Sequence, residues 1–116
     1  MDLVGSWRVV EIDGEAVLDD VVPTIDFAGD GRVYGLASVN RFHGSCTVVD
    51  GELVFTPLAS TMMMGPPEPM DQEGRFLTAL HGAMHVSARE DGRVELFNDT
   101  RRVLLRRARV RESEPD

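Results

Sequence analysis

Lysine is missing from this chain of 116 residues, cysteine and tryptophan occur once each, and aromatic residues make up only 6%. Each absence excludes something. A single cysteine, Cys46, cannot close an internal disulfide, so no disulfide framework holds the fold. No apolar run approaches the roughly 18 residues of a spanning helix. The opening residues, MDLVGSW, lack the basic stretch and apolar segment of a signal peptide. If residues 1–116 are the whole gene product, the expectation is a cytoplasmic protein with no membrane partner. If a leader has been removed, it is a secreted or envelope-associated one. The basic residues are all arginine, which reads as genomic composition rather than mechanism.

Charge of one sign dominates. The formal charge is −8, and the acids are unevenly opposed: residues 1–60 hold ten against three arginines, and 61–116 hold ten against nine. An acidic surface repels phosphate backbones, which argues against nucleic acid as a partner. One basic run stands out, Arg101, Arg102, Arg106, Arg107, Arg109 and Arg111 around Val103-Leu104-Leu105. It lacks the interleaved exposed aromatics of a nucleic-acid face. Its expected role is to offset the acidic first half, within the chain or across a homodimer.

What is present is a series of short β-branched runs separated by glycine turns, in a chain long enough to build a core without metal or disulfide. Strands are expected over 7–12, 24–28, 32–36, 45–49, 52–56, 84–89, 93–97 and 102–107. Asp13-Gly14, Gly29-Asp30-Gly31, Asp50-Gly51 and Glu90-Asp91-Gly92 supply turns, with Asp50-Gly51 the clearest hairpin signal. Trp7 is expected in the core. Residues 13–23 read as irregular, and 37–44 as a loop or bulged crossing. The only helix expected runs over 69–81, with Pro69 in its first turn, Gly82 as its cap and an Asp71–Arg75 pair. Met70, Phe76, Leu77 and Leu80 form its apolar stripe, which would close an open end of the sheet structure. Met84, Val86 and Ala88 are expected to point inward. The domain is expected over 1–108, followed by a disordered acidic tail over 109–116.

An ordered set of short motifs runs through the chain: Gly5-Ser6-Trp7, Ile25-x-Phe27, Val33-x-Gly35, Asn40-Arg41-Phe42-x-Gly44, Leu53-x-Phe55, and Ser60-Thr61-Met62. Glu73 before Arg75-Phe76-Leu77-x-x-Leu80 and a leucine-rich closing strand follow. In order and spacing, over about 3–107, the chain resembles the META domain family, which includes the HslJ heat-shock-associated protein. The resemblance implies a mainly β fold: a small antiparallel β-barrel-like domain of about seven to eight strands with one helix packed across it. It also implies a bacterial setting, with some members lipid-anchored or secreted and some linked to heat shock, motility or virulence, but no particular chemistry. Members usually carry Gly-Cys-Asn before Arg-Phe and often a second cysteine after Thr-x-Met. Those places here read Ser38-Val39-Asn40 and Met64-Gly65. Loss of both cysteines fits a reducing compartment.

The candidate binding residues are Asn40, Arg41, Phe42 and Gly44, with Thr61, Met62, Met63 and Met64. Asn40 either fixes the bend around it or meets a ligand. Arg41 beside Phe42 could hold a carboxylate or stand solvated at a rim. Three successive methionines cannot all face one way in an extended segment. They read first as core filling, and otherwise as an adaptable lip beside Pro66-Pro67. His43, His81 and His85 carry no metal-site spacing, since Gly82 interrupts the His81–His85 pair. Ser60, His85 and Asp99 do not amount to a triad. No catalytic residue, metal or cofactor is expected. The leading reading is a non-enzymatic, stress-related module that binds a protein partner or ligand, as monomer or homodimer. Its rivals are a small-molecule carrier using the barrel interior, disfavoured by bulky inward residues, and, last, a small hydrolase.

Overall fold

The computed structural model describes residues 3–108; the tail over 109–116, with Arg109 and Arg111, lies outside the described residues. Ten strands and one helix follow one another: β1 (Gly5–Ile12), β2 (Glu15–Ala16), β3 (Thr24–Phe27), β4 (Arg32–Leu36), β5 (Arg41–Val49), β6 (Glu52–Phe55), β7 (Ala59–Ser60), α1 (Pro67–Ala79), β8 (Gly82–Ala88), β9 (Val94–Phe97) and β10 (Arg102–Arg107). Antiparallel pairing runs β10–β9–β8–β6–β5–β4–β3–β1, and β1 then pairs with β10, closing an eight-stranded barrel. The two-residue strands β2 and β7 attach outside this circuit, to β1 and β5.

Alternation along each strand puts one set of side chains inside. Ile25 and Phe27, Phe42 and Cys46, Leu53 and Phe55, Val94 and Leu96, and Val103 and Leu105 all lie in one buried cluster with Trp7. Burying each large side chain stabilises the fold by roughly 1.5–3 kcal/mol. Strand β1 keeps this alternation only by bulging: its register against β10 shifts between Val9 and Glu11, so that Val9 and Ile12, three apart, both enter the core. On the outer face of β9, Glu95 is buried between Arg89 (3.1 Å) and Arg102 (2.7 Å). Arg101 reaches Asp13 at 3.0 Å, so part of the basic run does offset the acidic half within the chain.

Turn chemistry is where the sequence is most direct. Asp13-Gly14 and Asp50-Gly51 each place both residues at positive φ (51° and 86°, 51° and 82°), as two-residue hairpins require. Asp30-Gly31-Arg32 and Asp91-Gly92-Arg93 form a matched pair of longer turns. In each, the aspartate accepts hydrogen bonds from the backbone N–H and Nε of the arginine two residues on.

Four expectations need correction. Residues 41–44 belong to β5, because their backbone pairs with β4 through Leu36↔Arg41 to Arg32↔Ser45; only the bend before Asn40 is irregular. The helix starts at Pro67 and ends at Ala79, since Pro67 and Pro69 both fit a first turn, where a missing N–H costs nothing. Gly82, at φ 67°, opens β8 rather than following a helix that reaches His81. Within β8 only Met84 is buried, while Val86 is half-buried and Ala88 exposed. The expected Asp71–Arg75 pair forms at 3.2 Å. Phe76 meets Phe42 edge-on at 5.6 Å between ring centroids, which seats α1 over the barrel end that holds Ile12 and the β4–β5 bend.

Candidate functional site

The β4–β5 bend, residues 37–40, is built for one side chain. Asn40 is 1% exposed, and its amide is saturated. Nδ2 donates to the Met63 carbonyl (2.9 Å) and to Glu73 Oε2 (2.8 Å). Oδ1 accepts from Thr61 Oγ1 (2.8 Å) and from the Met63 backbone N–H (2.7 Å). Both donors and both acceptor positions are used, so the group braces three segments: the bend, the 61–63 stretch and the helix. A buried amide satisfied in this way fixes geometry strongly, because any loosened bond leaves a polar atom without water.

The helix side of the brace comes from two neighbouring residues. Glu73 Oε1 accepts the backbone N–H groups of Val39 (2.9 Å) and Asn40 (2.6 Å). Gln72 accepts from the Leu18 N–H at 2.8 Å and donates to the Val21 carbonyl at 2.7 Å and Ser38 Oγ at 3.2 Å. Gln72 and Glu73 therefore hold the 18–21 stretch and the 38–40 bend against α1. Neither is singled out by sequence reasoning as a site residue. The signal was available: both fall one turn before Phe76, on the face that should be apolar. Ser38 is held at φ 144°, a conformation rare for any residue but glycine.

Around the brace, the remaining candidates separate. Phe42 is buried against Phe76. Gly44 makes room for a neighbour, since a Cβ there would fall 2.6 Å from Leu58 Cδ2. Arg41 is exposed, and its carbonyl accepts the Thr61 N–H at 3.1 Å. Met62, Met63 and Met64 are 88%, 60% and 86% exposed, which overturns core filling as their role. With Met63 clamped at both N–H and carbonyl, the three thioethers stand in solvent on a fixed backbone.

Two open clefts flank the start of α1. One, of about 400 Å³, is lined by Leu18, Val21, Val39, Pro66 and Pro69 with Asp20 and Glu68 on it. The other, of about 430 Å³, carries Glu15, Glu68 and Asp71 beside Leu18 and Arg75. His85 pairs with Glu52 at 3.1 Å, which directs it to a partner other than Asp99. Among the described residues, no three His, Cys, Asp or Glu side chains gather as a metal site would need. No described helix is long and apolar enough to cross a membrane.

The family model described as the META domain matches residues 1–110. The chain belongs to the META domain family. Two solved structures share its fold. An NMR structure of a protein from Burkholderia xenovorans is 24% identical, with a TM-score of 0.71, over 91% of this chain and 83% of that one. A second NMR structure is 22% identical, with a TM-score of 0.70, over 90% and 89%. At these identities the likeness concerns the fold alone. No curated protein matches the chain.

Val39 and Gly65 are neighbours across the bend. A Cβ on Gly65 would fall 2.8 Å from Val39 Cγ2, so the valine side chain fills the space beside a residue that has none.

Proposed function

We propose that this META domain is a non-enzymatic module that binds a protein partner through the Met62–Met64 lip and the clefts beside Leu18. The observation that carries the reading is the lip itself. Burying one methionine is worth roughly 1.5–3 kcal/mol, so three left in water forgo stabilisation that a partner would supply. The Asn40 clamp lowers the ordering cost of binding, and methionine adapts to varied apolar surfaces. Asp20 and Glu68 on the clefts, with the chain's charge of −8, favour a partner segment that is apolar and cationic, whereas Glu15 and Asp71 already face Arg75. Valine and glycine at 39 and 65 support a reducing compartment as its setting, and family membership supports a stress-related one.

The test is a titration of methyl-labelled protein with two peptide sets, leucine mixed with arginine and leucine mixed with glutamate. The arginine set is expected to shift the Met62, Met63 and Met64 methyl signals saturably. The triple variant Met62→Ser, Met63→Ser, Met64→Ser should bind at least about tenfold more weakly, with its melting temperature unchanged. Equal binding of both peptide sets, or full affinity in the triple variant, would sink the reading.

A further inference from the structure

The barrel has two ends, and only one is covered by α1. At the other lie Leu3, the β3–β4 turn and the beginning of β6, since Gly5 pairs with Phe27 and Phe27 with Val33. A hollow of about 250 Å³ opens there. Its inner wall is made by Leu3, Phe27, Val33, Cys46 and Leu53, all members of the buried core cluster. Its rim includes Val4 and Val48, which are 51% and 70% exposed. Gly29 and Gly31 contribute backbone without side chains, and a Cβ on Gly29 would meet nothing within 4 Å. The hollow is thus a mostly apolar recess that ends on the outermost core side chains.

The lining also limits what can enter. Its one charged residue, Arg32, is already tied to Asp30 at 2.9 Å. Hydrogen bonds from the Arg32 backbone and guanidinium hold the Asp30 carboxyl below its usual range, so the pair stays ionised and self-satisfied. A charged ligand would lose its hydration here without gaining a free partner. Size sets the other bound. Apolar protein cavities of about 150 Å³ stay dry and take up benzene, whereas drug-sized ligands need about 300–1,000 Å³. We propose that the barrel mouth binds a small, neutral, apolar molecule of about one or two fused rings, against Phe27, Leu53 and Cys46. The site lies apart from the methionine lip and does not depend on the reading given to it.

Indole is a suitable probe, and Cys46 is a built-in reporter because it is the only thiol in the chain. Saturating indole is expected to shift the methyl signals of Leu3, Val33 and Leu53, to leave those of Met62–Met64 in place, and to slow Cys46 alkylation by iodoacetamide at least fivefold. Ala28→Trp, on the lining beside Phe27, should fill the hollow and abolish the shifts. If that variant does not fold, the alkylation rate in the unaltered protein decides. Shifts absent up to the solubility of indole, shifts shared equally with the lip, or an unchanged alkylation rate would overturn the proposal.

Discussion

At the scale of single residues, Asn40 and Glu73 matter more than the exposed groups around them. Glu73 is a buried carboxylate receiving three N–H groups, two from backbone and one from Asn40. Removing it strands those donors, and each buried unsatisfied group costs roughly 1–3 kcal/mol. Glu73→Ala is therefore expected to destabilise the domain by about 3 kcal/mol or more, read by urea unfolding. Glu73→Gln should lose less, because it keeps an acceptor for the Val39 and Asn40 N–H groups and fails only opposite Asn40 Nδ2. Equal losses for the two variants would mean that the backbone contacts are not what Glu73 supplies. Asn40 was legible in the sequence as a bend-former, since its short amide suits an irregular turn. Its tie to a glutamate 33 positions away was not. Local spacing carries no information on which helix face will meet which bend.

Among the elements, legibility followed local chemistry. The Asp-Gly hairpins were readable because positive φ at adjacent positions is a local demand that few residue pairs meet. The start of α1 was ambiguous because three prolines, Pro66, Pro67 and Pro69, all suit a helix entrance. β2 and β7 were invisible, since two residues show no alternation and owe their pairing to β1 and β5. The extent of β5 was misjudged because glycine and histidine interrupt the apolar pattern at 43–44, although the backbone continues to pair. The contact between Val39 and Gly65 carries its own expectation. Val39→Cys with Gly65→Cys should form a disulfide under mild oxidation, detected as a loss of two thiols by mass. Closing that loop should stabilise the domain by about 3 kcal/mol, and the gain should vanish on reduction. Both introduced thiols remaining free after oxidation would show that the backbones stand too far apart.

For the molecule as a whole, the strand list foretold the class of fold but not its closure. β1 meets β10 through partners as distant as Trp7 and Arg107, a pairing that neither strand's sequence announces. The closed wall also contains the only thiol. Burial pushes Cys46 up to about 11 from a usual 9.0, so the folded state holds its proton more tightly than the unfolded chain does. Its contribution to stability is intact below pH 9 and declines as pH rises toward 11. Urea midpoints measured across that range should fall in the natural protein more than in Cys46→Val; parallel declines would place the thiol in contact with water. Closure has a further consequence during synthesis. A ring of strands has no free edge, but it cannot be completed by a ribosome-bound chain whose tenth strand has not yet been made. Until then β1 and β9 each present an unpaired flank, so the danger of mispairing is concentrated in the nascent chain and ends with the last pairing to form.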